Sequence, residues 1–99
     1  VGDGGMMMAL GDLETAVRLR VPLLIVVSND DALGAEVNVL ADLGLRTTVA
    51  EVASPSFEAI ATALRADAAT VRSLADLRVD QFPLSERDTR PIAVLLCEV

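Results

Sequence analysis

The apolar residues Met6, Leu10, Leu13 and Val17 are spaced four, three and four apart, which gathers them on one helical face and leaves Asp12, Thr15 and Arg18 elsewhere. That predicts an amphipathic helix, and Pro22 requires it to end near Arg20. Leu23 to Val27 is then apolar at every position, the pattern of a central parallel strand with a helix on each face, and Ser28-Asn29-Asp30-Asp31 breaks it sharply. A second helix is expected from Leu33 to Leu43, with Val39, Leu40 and Leu43 inward and Gly44 as its stop. Ser54-Pro55 reads as an N-cap with proline at the first helical position, ahead of Phe57, Ile60, Ala61 and Leu64 at i, i+3, i+4 and i+7. Ala69-Thr70-Val71 is a short strand, Ser73 a cap for Leu74 to Leu77, and Ile92 to Leu96 a last buried strand; residues 78–90 read as loop with a helical turn.

Helices alternating with apolar strands predict a single α/β domain, a small doubly wound parallel sheet with helices on both faces. About three strands are visible, so one edge should expose unpaired backbone. Residue 1 is Val, and a glycine-rich turn follows with only Val1 to represent the strand that should precede it. The expectation is therefore that residues 1–99 form the C-terminal part of a domain, with upstream strands and further domains missing.

Composition narrows the chemistry. With 99 residues, 53% hydrophobic and a net charge of -7, the chain is globular and acidic, which argues against phosphate-backbone binding. There are two Phe, no Tyr and no Trp, so no stacking platform for single strands exists. With no His, neither a Ser-His-Asp or Cys-His nucleophile nor a His-ligated zinc can be built. Every basic residue is Arg, which removes Schiff-base lysines and the lysine of a Walker A loop. The single Cys97 is expected as a buried, inert thiol, in keeping with a reducing, cytoplasmic setting. No apolar run approaches the length of a membrane span.

One constellation does suggest a site. Gly2-Asp3-Gly4-Gly5 opens the first helix, and 24 residues separate Gly4 from Asn29 at the end of the next strand. In a parallel β-α-β unit both points fall on the carboxyl edge of the sheet, so Asp3 and Asn29 should be neighbours. A carboxylate oxygen, an amide oxygen and a nearby backbone carbonyl suit Mg²⁺, and the glycines let a diphosphate approach backbone N–H groups. The dinucleotide-binding fingerprint is not met, because Met7 stands at its third glycine. Met6, Met7 and Met8 read as core filler; Asp30, Asp31 and Glu36 lack the spacing of a calcium loop. Arg65, Asp67, Arg72, Asp76 and Arg78 read as a solvated face.

The string GDGGMMMALGDLETAVRLRVPLLIVVSND resembles the diphosphate-binding domain of thiamine-diphosphate-dependent enzymes, specifically the acetolactate synthase, benzoylformate decarboxylase and pyruvate decarboxylase group. The likeness continues through Asp30-Asp31-Ala32-Leu33-Gly34 and Pro55-Ser56-Phe57 with Ile60-Ala61, covering about residues 1–77. By that resemblance Asp3 and Asn29 would bind Mg²⁺ through side chains and Asp31 through its carbonyl. Gly2, Gly4, Gly5, Leu33 and Gly34 would lie against the diphosphate of thiamine diphosphate. Asp31 departs from the family pattern by adding charge, Leu33 stands where many relatives are aromatic, and residues 78–90 lack the family's alanine-rich helix.

The resemblance implies an enzyme, lyase or transferase, that decarboxylates or carboligates a 2-oxo acid. Its cofactor would lie between two subunits of a homodimer or homotetramer. The glutamate that activates the cofactor belongs to a separate N-terminal domain, and no residue here matches it. The 99-residue chain alone would be inactive. Two other readings stand beside this one: a freestanding, non-catalytic α/β interaction module, and a flavodoxin-like or receiver-like domain, which leaves the Asn29 spacing unexplained.

Overall fold

The computed structural model describes residues 1–77 and the backbone of 93–98. In chain order the elements are α1 (Asp3–Met8), α2 (Leu10–Arg18), β1 (Leu24–Asn29), α3 (Gly34–Asp42), α4 (Phe57–Ala63), β2 (Asp67–Val71), a 3-10 turn (Leu74–Asp76) and β3 (Ala93–Glu98). The expected loop at 78–90 and the side chain of Cys97 lie outside the described residues.

The first amphipathic stripe folds as two helical segments rather than one. The break falls at Ala9, whose N–H bonds back only three residues to the Met6 carbonyl, tightening the turn between α1 and α2. The apolar face survives the break, since Met6 and Leu13 are both buried. α2 closes with the Arg20 N–H on Val17 and the Val21 N–H on Ala16, Arg20 taking a left-handed φ of 54°. Pro22 follows immediately, where the chain can no longer be helical.

Strands β1, β3 and β2 form a parallel sheet in that order, so β3 lies in the middle. On the free side of β1 the first two residues extend the sheet. The Val1 amino group donates to the Val26 carbonyl at 2.9 Å, the Ser28 N–H donates to the Val1 carbonyl at 2.9 Å, and Gly2 pairs in parallel with Ser28. The strand fragment expected at Val1 is thus hydrogen-bonded to β1.

Met6, Leu13, Val27, Phe57, Ala61 and Ala66 form the core, with Ile25, Ile60, Leu64 and Ala68 against it. These residues place α1, α2 and α4 on one face of the sheet. The expectation of helices on both faces is not met among the described residues: Leu24 and Val26, pointing the other way from β1, are 36% and 43% exposed. α3, expected to turn Val39, Leu40 and Leu43 inward, has no buried residue and leaves Val39 and Leu43 exposed. The reason lies just before it. Leu33 N–H bonds Ala50, Val52 N–H bonds Asp31, and Ala32 pairs antiparallel with Glu51, so α3 starts from a segment tied to residues 50–52.

α4 begins later than expected. Its N-cap is Ser56, whose Oγ accepts from the Ala59 N–H at 3.1 Å, and not Ser54. β2 is longer than the apolar triplet suggested, and Ser73 caps the 3-10 turn as expected. No helix among the described residues is long and apolar enough to cross a membrane.

Candidate functional site at the carboxyl edge of the sheet

Parallel pairing of Gly2 with Ser28 fixes the site, because the next residue on each strand is Asp3 and Asn29 respectively. Both therefore leave the same edge of the sheet side by side, as the 24-residue spacing predicts. Asp3 is the first residue of α1 and is only 3% exposed; among the described residues it is the buried charged side chain. Burying a carboxylate requires partners. One is the hydroxyl of Ser54, which donates to Asp3 Oδ2 at 2.5 Å.

Asn29 presents the complementary feature. Its Nδ2 donates to Asp31 Oδ1 at 3.4 Å, whereas its Oδ1 is buried and has no hydrogen-bond partner. A buried acceptor left in this state is costly unless something else satisfies it. Asp31 holds a left-handed φ of 55°, which Asp tolerates better than most residues. Its carboxylate also accepts the Ser54 N–H at 3.0 Å, and its carbonyl accepts the Val52 N–H at 3.0 Å. The added charge at position 31 is thus taken up by two donors.

Asp3, Ser28 and Asp30 line a cleft of about 310 Å³ at this edge. The Gly2–Gly5 turn forms one wall, and Leu33, Gly34 and the start of α3 form the other. A helix start directs unpaired N–H groups outward, so the first residues of α3 offer donors to an anion. At position 4 an added Cβ would stand 2.5 Å from Leu33 Cδ2, so any larger residue there requires the Leu33 side chain to shift. The charged residues lining the cleft are Asp3, Asp30 and Glu36, all acidic. Among the described residues, no group of three or more His, Cys, Asp or Glu side chains forms a metal cluster. The donor set is instead one carboxylate and one amide oxygen.

The structure brings Asp3, Asn29, Asp31, Leu33, Gly34 and the glycines of the first turn to one edge, every residue singled out from the sequence. Ser54 was missed. Its Ser-Pro context imitates a helix cap, and only the tie between residues 31–33 and 50–52 carries it to Asp3, 51 positions away.

A family model described as "Thiamine pyrophosphate enzyme, C-terminal TPP binding domain" matches residues 1–81. No curated protein and no solved structure matches the chain.

Proposed function

The chain belongs to the thiamine pyrophosphate enzyme family, as its C-terminal TPP-binding domain, and from that premise we propose that Asp3 and Asn29 hold Mg²⁺ for the cofactor's diphosphate. The observation that carries this reading is the buried, partnerless Asn29 Oδ1, one residue beyond the strand pair that also delivers the buried carboxylate of Asp3. Both are hard oxygen donors of the kind Mg²⁺ takes, with water and phosphate oxygens completing its octahedron. Asp31 is the third protein ligand through its carbonyl. That oxygen accepts one hydrogen bond from Val52 and keeps a second lone pair.

In this reading Gly2, Gly4 and Gly5 admit the diphosphate close to the backbone of α1, and Leu33 and Gly34 bound it from the opposite wall. Bound thiamine diphosphate supplies the carbon–carbon bond chemistry, while these residues anchor, orient and neutralise its diphosphate end. The parent protein is proposed to be a lyase or transferase acting on 2-oxo acids, acetolactate synthase-like, with the activating glutamate and a second subunit provided from outside residues 1–99. The exposed Leu24 and Val26 face of β1 supports packing against further protein.

The test is calorimetric titration of thiamine diphosphate into the full-length protein with and without Mg²⁺, for the native protein and Asp3→Ala. Mg²⁺-dependent binding that Asp3→Ala abolishes supports the assignment. Undiminished binding in that variant refutes it.

A further inference from the structure

Ser54 and Asp31 touch each other and, between them, both side chains assigned to the cation. We propose that this pair positions Asp3 and Asn29, holding the two oxygen donors in place at the edge of the sheet before a cation enters. The inference rests on the Mg²⁺ reading above and adds to it Ser54 and, for the side chain of Asp31, a positioning role beside the one already assigned to its carbonyl.

Four hydrogen-bonding groups form one connected chain. The Ser54 hydroxyl donates to Asp3 Oδ2, the Ser54 N–H donates to Asp31 Oδ1, and Asn29 Nδ2 donates to the same Asp31 oxygen. Each bond fixes an orientation. With Oδ2 of Asp3 engaged by a hydroxyl, Oδ1 is the carboxylate oxygen left for a cation. With Asn29 Nδ2 directed at the Asp31 carboxylate, the amide orientation that leaves Oδ1 as the free, buried acceptor is favoured over its reverse. A neutral residue without an acceptor at position 31 would leave the Asn29 amide without that constraint. Removing a hydrogen-bond partner that orients a metal ligand typically costs about 10- to 100-fold in metal affinity.

Position 54 is also free for this duty because Ser56, and not Ser54, caps α4. The antiparallel bridge between Ala32 and Glu51 brings the Ser54 segment beside Asp31, so the bracket is built from two segments that the fold ties together.

The experiment measures Mn²⁺ binding, as a spectroscopic stand-in for Mg²⁺, by electron paramagnetic resonance on the full-length protein. Ser54→Ala, Ser54→Thr, Asp31→Gly and Asp3→Ala are compared, each with its thermal unfolding midpoint. Ser54→Ala is expected to weaken Mn²⁺ binding by about 10- to 100-fold, and Ser54→Thr, which keeps the hydroxyl, to recover most of it. Asp31→Gly, which keeps the left-handed backbone and the carbonyl but removes the carboxylate, is expected to lose about tenfold and provides a second arm should Ser54→Ala not fold. Native Mn²⁺ affinity in Ser54→Ala or Asp31→Gly overturns the proposal. An equal loss in Ser54→Ala and Ser54→Thr also overturns it. Loss in Asp3→Ala with none in the other variants sinks the bracket alone, whereas native affinity in Asp3→Ala sinks the Mg²⁺ reading beneath it.

Discussion

Gly4 and Leu33 face each other across the cleft at a separation that leaves no room for a side chain at position 4: a Cβ there would lie 2.5 Å from Leu33 Cδ2. The obstructing atom is the end of a flexible side chain, so Gly4→Ala should fold, with a stability cost of about 1 kcal/mol as Leu33 shifts. The displaced Leu33 would then intrude on the space proposed for the diphosphate. Thiamine diphosphate affinity is expected to fall about tenfold in Gly4→Ala and to recover in the double variant Gly4→Ala with Leu33→Ala. A calorimetric double-mutant cycle measures the coupling; strictly additive losses would show that the two residues act separately.

The helix ends offer a stability prediction independent of the site. Gly44 closes α3 with a φ of 65°, whereas Arg20 and Arg65 close α2 and α4 with φ of 54° and 67°. All three carry the same pair of terminal hydrogen bonds, the Arg65 N–H to Thr62 and the Ala66 N–H to Ala61 in the last case. A β-carbon in this conformation costs about 1–2 kcal/mol, of which glycine's freedom in the unfolded chain returns about half. Arg20→Gly and Arg65→Gly should therefore each stabilise by about 0.5–1 kcal/mol, read as a raised denaturant midpoint. Gly44→Ala should move it in the opposite direction.

Asp76 gives a pH signature. The N–H groups of Arg72 and Ser73 donate to its Oδ2 at 2.9 and 2.8 Å, and they hold its carboxyl below the ordinary value of 3.8, with the Ser73 hydroxyl adding to the effect. A carboxylate favoured in the folded state contributes stability above its unfolded pKa, and the contribution fades as pH falls through the lower folded value. Asp76→Ala should be less stable than the native protein at pH 6, with the gap narrowing as the pH drops below about 4. A gap that stays constant through the acid limb would contradict this origin.

Much of the fold was readable because it rests on local pattern. The Met6, Leu10, Leu13 and Val17 stripe and the Phe57 face are burial periodicities, and both appear in the core. The pair Asp3 and Asn29 was readable for a topological reason: a parallel β-α-β unit brings turn and strand end to one edge whatever the details. What pattern could not give was long-range placement. α3 has the composition of an inward helix, yet the tie of Leu33 to Ala50 starts it away from the sheet, and its apolar side chains stay exposed. Ser54 illustrates the same limit. A serine before proline carries the local signature of a cap, and nothing near it in sequence indicates a carboxylate 51 residues away.

The charge of the cleft leads to the final prediction. Asp3, Asp30 and Glu36 line it, with no basic side chain among its lining residues, so a diphosphate approaching alone meets like charge on every side. Backbone N–H groups at the start of α3 offset this only partly, because a helix terminus carries about half a unit charge. A divalent cation held by the proposed Asp3 and Asn29 site would reverse the balance. Binding of thiamine diphosphate should accordingly be cooperative with Mg²⁺, each strengthening the other by the same factor, and chelation should lower cofactor affinity at least about 100-fold. Asp30→Asn, which removes one cleft charge and is not among the assigned ligands, should raise the residual metal-free affinity by a few-fold and leave the Mg²⁺-loaded affinity nearly unchanged. Titrations in chelator and in saturating Mg²⁺, for both proteins, measure all four values. Equal cofactor affinity with and without metal would mean that the diphosphate is anchored by groups other than Asp3 and Asn29.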